Sequence, residues 1–363
     1  MTDVPPRRSA IVIGAGPAGL SVAACLQREG IEAIVLEQAQ RVGDAWHRHY
    51  ERLHLHTSKG LSALPFAAFP RAAPRYPSRA EVVDYLDAYA RRFAIAPRFG
   101  QRVIAARPID GGWRVATDEA EYESPTLIIA TGLCRTPYEP RWPGRDGYRG
   151  TVVHSAAYRN GAAFAGKDVL VVGIGNSGAE IALDLHEHGA RASIAVRGPV
   201  NVVPRELFGI PILAFGIAQN ALPARWADTL NRPLMRMVVG DLAPYGLQTP
   251  ATGPVTQLRE AARVPLIDVG TIDAIRRGAI AVRHGISAFT ENGVRFTDGS
   301  EGSFDAVVLA TGYRARVDSF LAADGVFDEN GTPRHSGAQN AQRGLYFCGF
   351  KVSPTGMLRA IAR

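Results

Sequence analysis

The chain has 363 residues, of which 46% are hydrophobic and 21% charged, with a formal net charge of +7. That length suffices for two domains, each with its own core, and the composition excludes a disordered chain. The arginines are scattered and form no basic run interleaved with aromatics, which argues against a nucleic-acid partner and leaves attraction of phosphate-bearing cofactors or an acidic substrate.

The start, "MTDVPPRRSA", is polar and leads straight into a strand, so it does not read as a signal peptide. "AIVIG" has a buried-strand pattern, and "GPAGLSVAACLQREG" carries apolar residues at helical spacing before stopping at Gly30. Between them lies Gly14-Ala15-Gly16-Pro17-Ala18-Gly19. In such a turn Gly14 permits the tight bend, Gly16 lets a pyrophosphate approach the backbone, and Gly19 lets helix and strand pack closely. The helix N-terminus then offers unpaired N–H groups to the phosphates. The next strand, "EAIVLE", ends in Glu37, followed by Gln38. A carboxylate there accepts both ribose hydroxyls of an adenosine and repels a 2′-phosphate, so this turn suits FAD or NAD better than NADP.

"HRHYERLHLH" holds His47, His49, His54 and His56, but no carboxylate or cysteine constellation completes a metal site, and none is expected. "PTLIIATG" (125–132) is an apolar strand ending in Ala130-Thr131-Gly132. The cysteines, Cys25, Cys134 and Cys348, form no CxxC, which excludes a dithiol reductase mechanism.

"KDVLVVG" is again a strand, and Gly173, Gly175 and Gly178 repeat the fingerprint before the helix "AEIALDLHEHG". The following strand, "ASIAVR", ends in Arg197 where the first copy has its acid. A guanidinium pairs bidentately with phosphate, so this copy is built for the 2′-phosphate of NADP(H), with Arg205 in "VVPRE" as a second phosphate contact. One fingerprint would hold a flavin dinucleotide and the other the nicotinamide dinucleotide that reduces it.

The Pro-, Leu-, Ala- and Met-rich segment at about 208–247 matches no dinucleotide-binding element and is expected to form helices over the cleft, contributing to the substrate pocket. Its most apolar part, "GIPILAFGIAQNALP", is too short and interrupted to span a bilayer. "FDAVVLATG" (304–312) duplicates the earlier Ala-Thr-Gly strand with Ala310-Thr311-Gly312. The pattern predicts an α/β protein with two Rossmann-like domains. The NADP(H)-binding domain (151–310) is inserted into an FAD-binding domain (1–150 and 311–363), and the two crossings act as hinges. "GLYFCGF" would finish the FAD domain, and "GMLRAIAR" reads as the start of a helix, with a tail expected beyond it.

"YRGTVVHSAAY" (148–158) resembles F-x-G-x-x-x-H-x-x-x-Y, the identifying motif of flavin-containing monooxygenases, with Tyr148 in place of the usual Phe. "VRGPVNVVPRELFG", "DLAPYGLQTPATGP", "PLIDVGTIDAIRRGAIAV" and "VVLATGYRA" are similar to the YUCCA-type branch and its bacterial relatives. The resemblance runs over nearly the whole chain and implies FAD and NADPH as cofactors. It also implies a reaction in which NADPH reduces FAD and O₂ then gives a C4a-hydroperoxyflavin. That oxygen goes to a small organic nucleophile (amine or sulfide) or drives oxidative decarboxylation of a 2-oxo acid. By the same resemblance Gly43, Asp44 and Trp46 line the FAD, the backbone of Val103 meets the adenine, and Asn176 and Ser177 lie at the nicotinamide dinucleotide. His56 stands beside the flavin where many members carry Asn, which singles it out as a catalytic candidate. His154 of the motif is expected to orient the cofactor domain.

A rival on the same fold is an NADPH oxidase or acceptor reductase without productive oxygen transfer. A second is a non-enzymatic flavoprotein signalling through a partner. The expected partners are a small-molecule substrate and O₂, with no nucleic acid and no membrane. A homo-oligomer is left open, and the location is expected to be cytoplasmic.

Overall fold

The structure, a computed structural model, describes residues 10–338, 340, 342–353 and 356–362. Two parallel sheets dominate it. The first has four strands in the order Ala33–Leu36, Ala10–Ile13, Leu127–Ile129, Leu345–Phe347. The second has five, in the order Ala281–His284, Arg191–Val196, Asp168–Val172, Ala306–Leu309, Thr151–His154. All neighbours in both sheets are parallel.

Parallel strands covered on both faces read as near-continuous apolar runs, and the inner strands Ala10–Ile13, Leu127–Ile129 and Ala306–Leu309 are apolar and buried at every position. In the first sheet Ala10 and Val12 enter one core and Ile11 and Ile13 the other. In the second, Val169 and Val171 face one core and Leu170 and Val172 the other. Each fully buried Val, Ile or Leu side chain contributes about 1.5–3 kcal/mol.

The two units repeat one plan beyond the fingerprints. Each inserts a three-stranded antiparallel meander just before its Ala-Thr-Gly strand: Val103–Ile109, Gly112–Thr117 and Glu121–Ser124 in the first, and Ile286–Thr290, Gly293–Phe296 and Glu301–Ser303 in the second. The alternating sequences around Trp113 and Phe296 carry this pattern, but the sequence reading did not assign it.

The two crossings between units meet. Thr136–Pro137 pairs antiparallel with Tyr313–Arg314, and Tyr138 N donates to Gly312 O at 2.9 Å. The stretch just before the expected boundary at residue 150 packs on the second meander. Trp142 and Tyr148 pack on Phe289 of the second unit, Tyr148 Oη donates to Phe304 O, and Arg149 N to Glu291 O. The apolar body of that stretch finds its core among the second meander's side chains.

The segment from Phe208 onward does form helices: Ile212–Ala218, Ala224–Val239 and, beyond the expected end, Pro254–Ala261. Asp228 fixes the last of these by accepting from Val255 N and Thr256 N, both at 2.9 Å. Tyr158, closing the motif, is 2% exposed and donates its hydroxyl to Asp184 at 2.6 Å on the helix Asn176–Glu187. Burial and that carboxylate push the phenol far above its usual range. Removing the hydroxyl leaves a buried carboxylate short of a donor, so Tyr158→Phe should lower the urea midpoint by the equivalent of about 1–3 kcal/mol with an unchanged m-value. A change under half a kcal/mol would show that the pair adds nothing to stability.

Candidate flavin and nucleotide cleft

Both fingerprints divide labour among their glycines in the same way. Gly14 (φ +106°) and Gly173 (φ +107°) hold left-handed bends, and an added Cβ would strike the carbonyls of Ala130 and Ala310 respectively. At Gly19 and Gly178 an added Cβ would collide with the Gly14 and Gly173 carbonyls of the same turn. At Gly16 and Gly175 it would meet nothing within 4 Å. These two glycines are the N-caps of Pro17–Arg28 and Asn176–Glu187, and neither cap makes a side-chain hydrogen bond. Each helix therefore aims free N–H groups and a partial positive charge into open space, which is a cradle for phosphate.

Glu37 lies at the mouth of the first turn, its two oxygens accepting from Ala15 N (2.8 Å) and Ala39 N (2.9 Å). A carboxylate has about four lone-pair sites, so acceptor capacity remains for ribose hydroxyls. Gln38 beside it is exposed. Val103 opens the first meander and packs on the core that holds Ile13 and Leu36, at the same end of the sheet. Thr131 has a buried hydroxyl with no protein partner, whereas Thr311 donates its own to Tyr138 O in the crossing. Gly132 and Gly312, both at positive φ, have open space around them. The orphaned Thr131 hydroxyl and the open Gly16 cradle fit a dinucleotide in the first unit.

In the second unit Arg197 is exposed at the end of its strand. Arg205, the expected second phosphate contact, has its guanidinium over the Tyr76 ring, 4.3 Å from the centroid. Its neighbour Glu206 pairs with Arg75 at 2.9 Å, and burial together with Glu206 pushes the Tyr76 phenol up to about 12. Arg205 thus fastens the helical segment to the first unit.

Between the units lies a cavity of about 440 Å³. It brings together Trp46 and His56 from the first unit with Asn176 and Ser177 from the second, under Leu213 and Met235 of the helical segment. Gly43 (φ +61°) starts the short helix bearing Trp46 and donates to Ala15 O at 2.9 Å. Asp44 pairs with Arg41 and Arg48 and does not line the cavity. The Asn176 amide is engaged structurally, donating to Pro265 O (3.3 Å) and accepting from Ile267 N (2.8 Å).

Glu180, which the sequence reading missed, holds His56 in place, and Tyr50 stands behind it. The His56 Nε2 makes a short contact with the carboxylate of Glu180, which is 3% exposed on the helix Asn176–Glu187. The Tyr50 hydroxyl lies beside Glu180 and Ser177, and its phenol is raised well above its usual value by burial and the Glu180 charge. The signal was an acid inside the apolar run "AEIALDL". A buried carboxylate needs such partners. His154 has a structural geometry, as expected. Its Nδ1 accepts from Ala156 N and its Nε2 faces Gly312 O, both at 3.1 Å, so the neutral ring serves both and braces the second hinge.

The sequence profile of the pyridine nucleotide-disulphide oxidoreductases matches residues 11–205. The indole-3-pyruvate monooxygenase YUCCA1 of Oryza sativa subsp. japonica is 42% identical over 351 residues, covering 94% of this chain and 86% of that protein. The chain belongs to the YUCCA-type flavin monooxygenase family. A probable indole-3-pyruvate monooxygenase, YUCCA4 of Arabidopsis thaliana, is 39% identical across 94% of this chain and 84% of its own length. Among solved structures, a flavin-containing monooxygenase from Stenotrophomonas maltophilia superposes with a TM-score of 0.76 at 23% identity, covering 98% of this chain and 95% of that one. An oxidized steroid monooxygenase bound to NADP gives 0.78 at 20% identity, covering 98% and 83%. The fold is that of the two-dinucleotide-domain flavoproteins, and the family makes the protein an oxidoreductase of the monooxygenase kind. All three cysteines are free.

One pH effect follows from His49, which is largely buried behind this segment. Burial, then Arg159, Arg48 and Arg79, lower it from 6.5 to about 4. Between those values the unfolded chain holds a proton that the folded chain does not, so stability falls as pH falls from 6.5 toward 4. The loss amounts to about 3 kcal/mol at most. His49→Gln should flatten that part of a stability–pH profile from denaturant titrations; an unchanged slope would mean another group causes it.

Proposed function

We propose that the protein is an NADPH-dependent FAD monooxygenase acting on a small organic substrate. In this reading FAD is held by the first unit, through Gly14, Gly16, Pro17, Ala18, Gly19, Glu37 and the Thr131 turn. NADPH is held by the second, through Gly173, Gly175, Ser177, Gly178 and Arg197. The observation that carries it is the pairing of two open, uncapped helix N-termini with opposite charges at the matching strand ends, Glu37 on one and Arg197 on the other. Residues from the second crossing onward would complete the FAD unit, and the inserted NADP unit would start near residue 140.

Bound FAD supplies two-electron chemistry between NADPH and O₂. The chain's own contribution is placement and exclusion of water. Glu180, backed by Tyr50, fixes the His56 ring in the cavity wall. The apolar side chains of the helical segment shed water from the same volume and strengthen polar contacts inside it. The likeness to indole-3-pyruvate monooxygenases favours a 2-oxo acid as substrate over an amine or sulfide.

Anaerobic mixing of the FAD-loaded protein with NADPH should bleach the flavin absorbance much faster than NADH does, and readmitted O₂ should oxygenate an added substrate. Reduction by neither nucleotide overturns the two-cofactor reading. Quantitative hydrogen peroxide release across amines, sulfides and 2-oxo acids assigns an oxidase instead. Losing a bidentate charged pair costs about 1.5–3 kcal/mol, so Arg197→Ala should raise the KM for NADPH roughly 10- to 100-fold and leave that for NADH nearly unchanged. Equal effects on both nucleotides would remove Arg197 from 2′-phosphate recognition.

A further inference from the structure

The helix Ala224–Val239 has more surface character than its place over the cavity requires. Its inner face supplies the buried Ala227 and, lining the cavity, Asn231 and Met235. Its outer face carries Trp226 (70% exposed), Leu230 (63%) and Met237 (70%), with exposed Pro233 between them. At 3.6 residues per turn these four positions fall within roughly 60° of arc, a continuous apolar stripe facing solvent. Arg225, Arg232 and Arg236 form a second exposed stripe along one flank. The helix's single acid, Asp228, is turned away, accepting from the N-terminus of Pro254–Ala261. The hairpin pairing Glu206–Leu207 with Ile210–Pro211, earlier in the same segment, exposes Phe208 (79%) and Ile210 (48%) at its tip.

We propose that this outer face docks on an anionic membrane surface, with Trp226, Leu230 and Met237 entering the headgroup–acyl boundary and the three arginines meeting lipid phosphates. An apolar stripe flanked only by arginine is the pattern of a helix that lies in the interface plane. Charge decides the occupant. A second copy would bring two arginine stripes together with no acid to separate them, whereas an anionic bilayer supplies phosphates and an apolar layer at once. No helix among the described residues is long and apolar enough to cross a membrane, so the contact is peripheral. The expectation of no membrane partner rested on the absence of a spanning segment, which does not bear on a helix lying flat. Docking here places the opposite wall of the cavity-lining helix against lipid, and it holds whichever substrate the cleft accepts.

The test is vesicle flotation of the full-length, FAD-loaded protein. Vesicles of phosphatidylcholine mixed with phosphatidylglycerol should carry the protein upward, phosphatidylcholine alone should not, and high salt should release it. Trp226→Ser with Met237→Ser should abolish flotation. Arg225→Gln, Arg232→Gln and Arg236→Gln together should weaken binding roughly 100-fold, and these exposed positions keep the test valid if the apolar variant folds poorly. Flavin absorbance and circular dichroism serve as controls for folding. No flotation with anionic vesicles overturns the proposal. A dimer in sedimentation that dissociates on the Trp226/Met237 substitutions would also overturn it, by showing that a second copy covers the face.

Discussion

Everything in the cleft depends on one backbone contact made twice: the carbonyl that ends an Ala-Thr-Gly strand pressed against the first glycine of a fingerprint. Ala130 lies on Gly14 and Ala310 on Gly173, closer than any side chain would allow. The contact brings the end of a central strand, the bend before a helix and a second bend after another strand to one point. With all strands parallel, that point lies at the carboxyl edge of each sheet, where a crevice opens and helix N-termini converge. The Gly19 and Gly178 contacts then pull each helix onto its own turn, leaving Gly16 and Gly175 as the open positions.

Besides the backbone ribbon of the crossings, side chains tie the two crevices together. The loop carrying Tyr50 and His56 reaches across to Glu180, and Arg205 reaches back to Tyr76. The first link is buried and costly to leave incomplete, since a carboxylate without its partners would stand uncompensated in a low-dielectric interior. The second is half-buried and sits at the rim. The interior of the cleft is thus held more firmly than its mouth, and the mouth is where the helical segment lies.

Much of this was legible in the sequence because it is local. The fingerprints, the acid and arginine at matching strand ends, and the duplicated Ala-Thr-Gly strands each occupy a few consecutive residues, and each has a backbone reason to look as it does. What was missed is non-local. Glu180 reads as one acid in a helix until the fold brings Tyr50 and His56 against it, about 120 residues away in sequence. Trp142 and Tyr148 read as the end of the first unit because nothing local says that Phe289 will cover them. Arg205 looked like a phosphate ligand, and only three-dimensional placement shows an aromatic ring beneath it. The helical segment was recognisable as helical, but its split into an inner and an outer apolar face depends on which side the cavity lies.

The paired crossings, Thr136–Pro137 against Tyr313–Arg314, have a consequence for how the halves are tethered. A unit whose entry and exit strands lie one ladder spacing apart can be spliced into a host loop without stretching it, because the host sees only a short gap between two neighbouring residues. The second unit repeats the first in sheet, meander and turn, and its entry and exit lie side by side in that ribbon. The ribbon left at that junction still joins the halves, and any relative motion between them has to bend it.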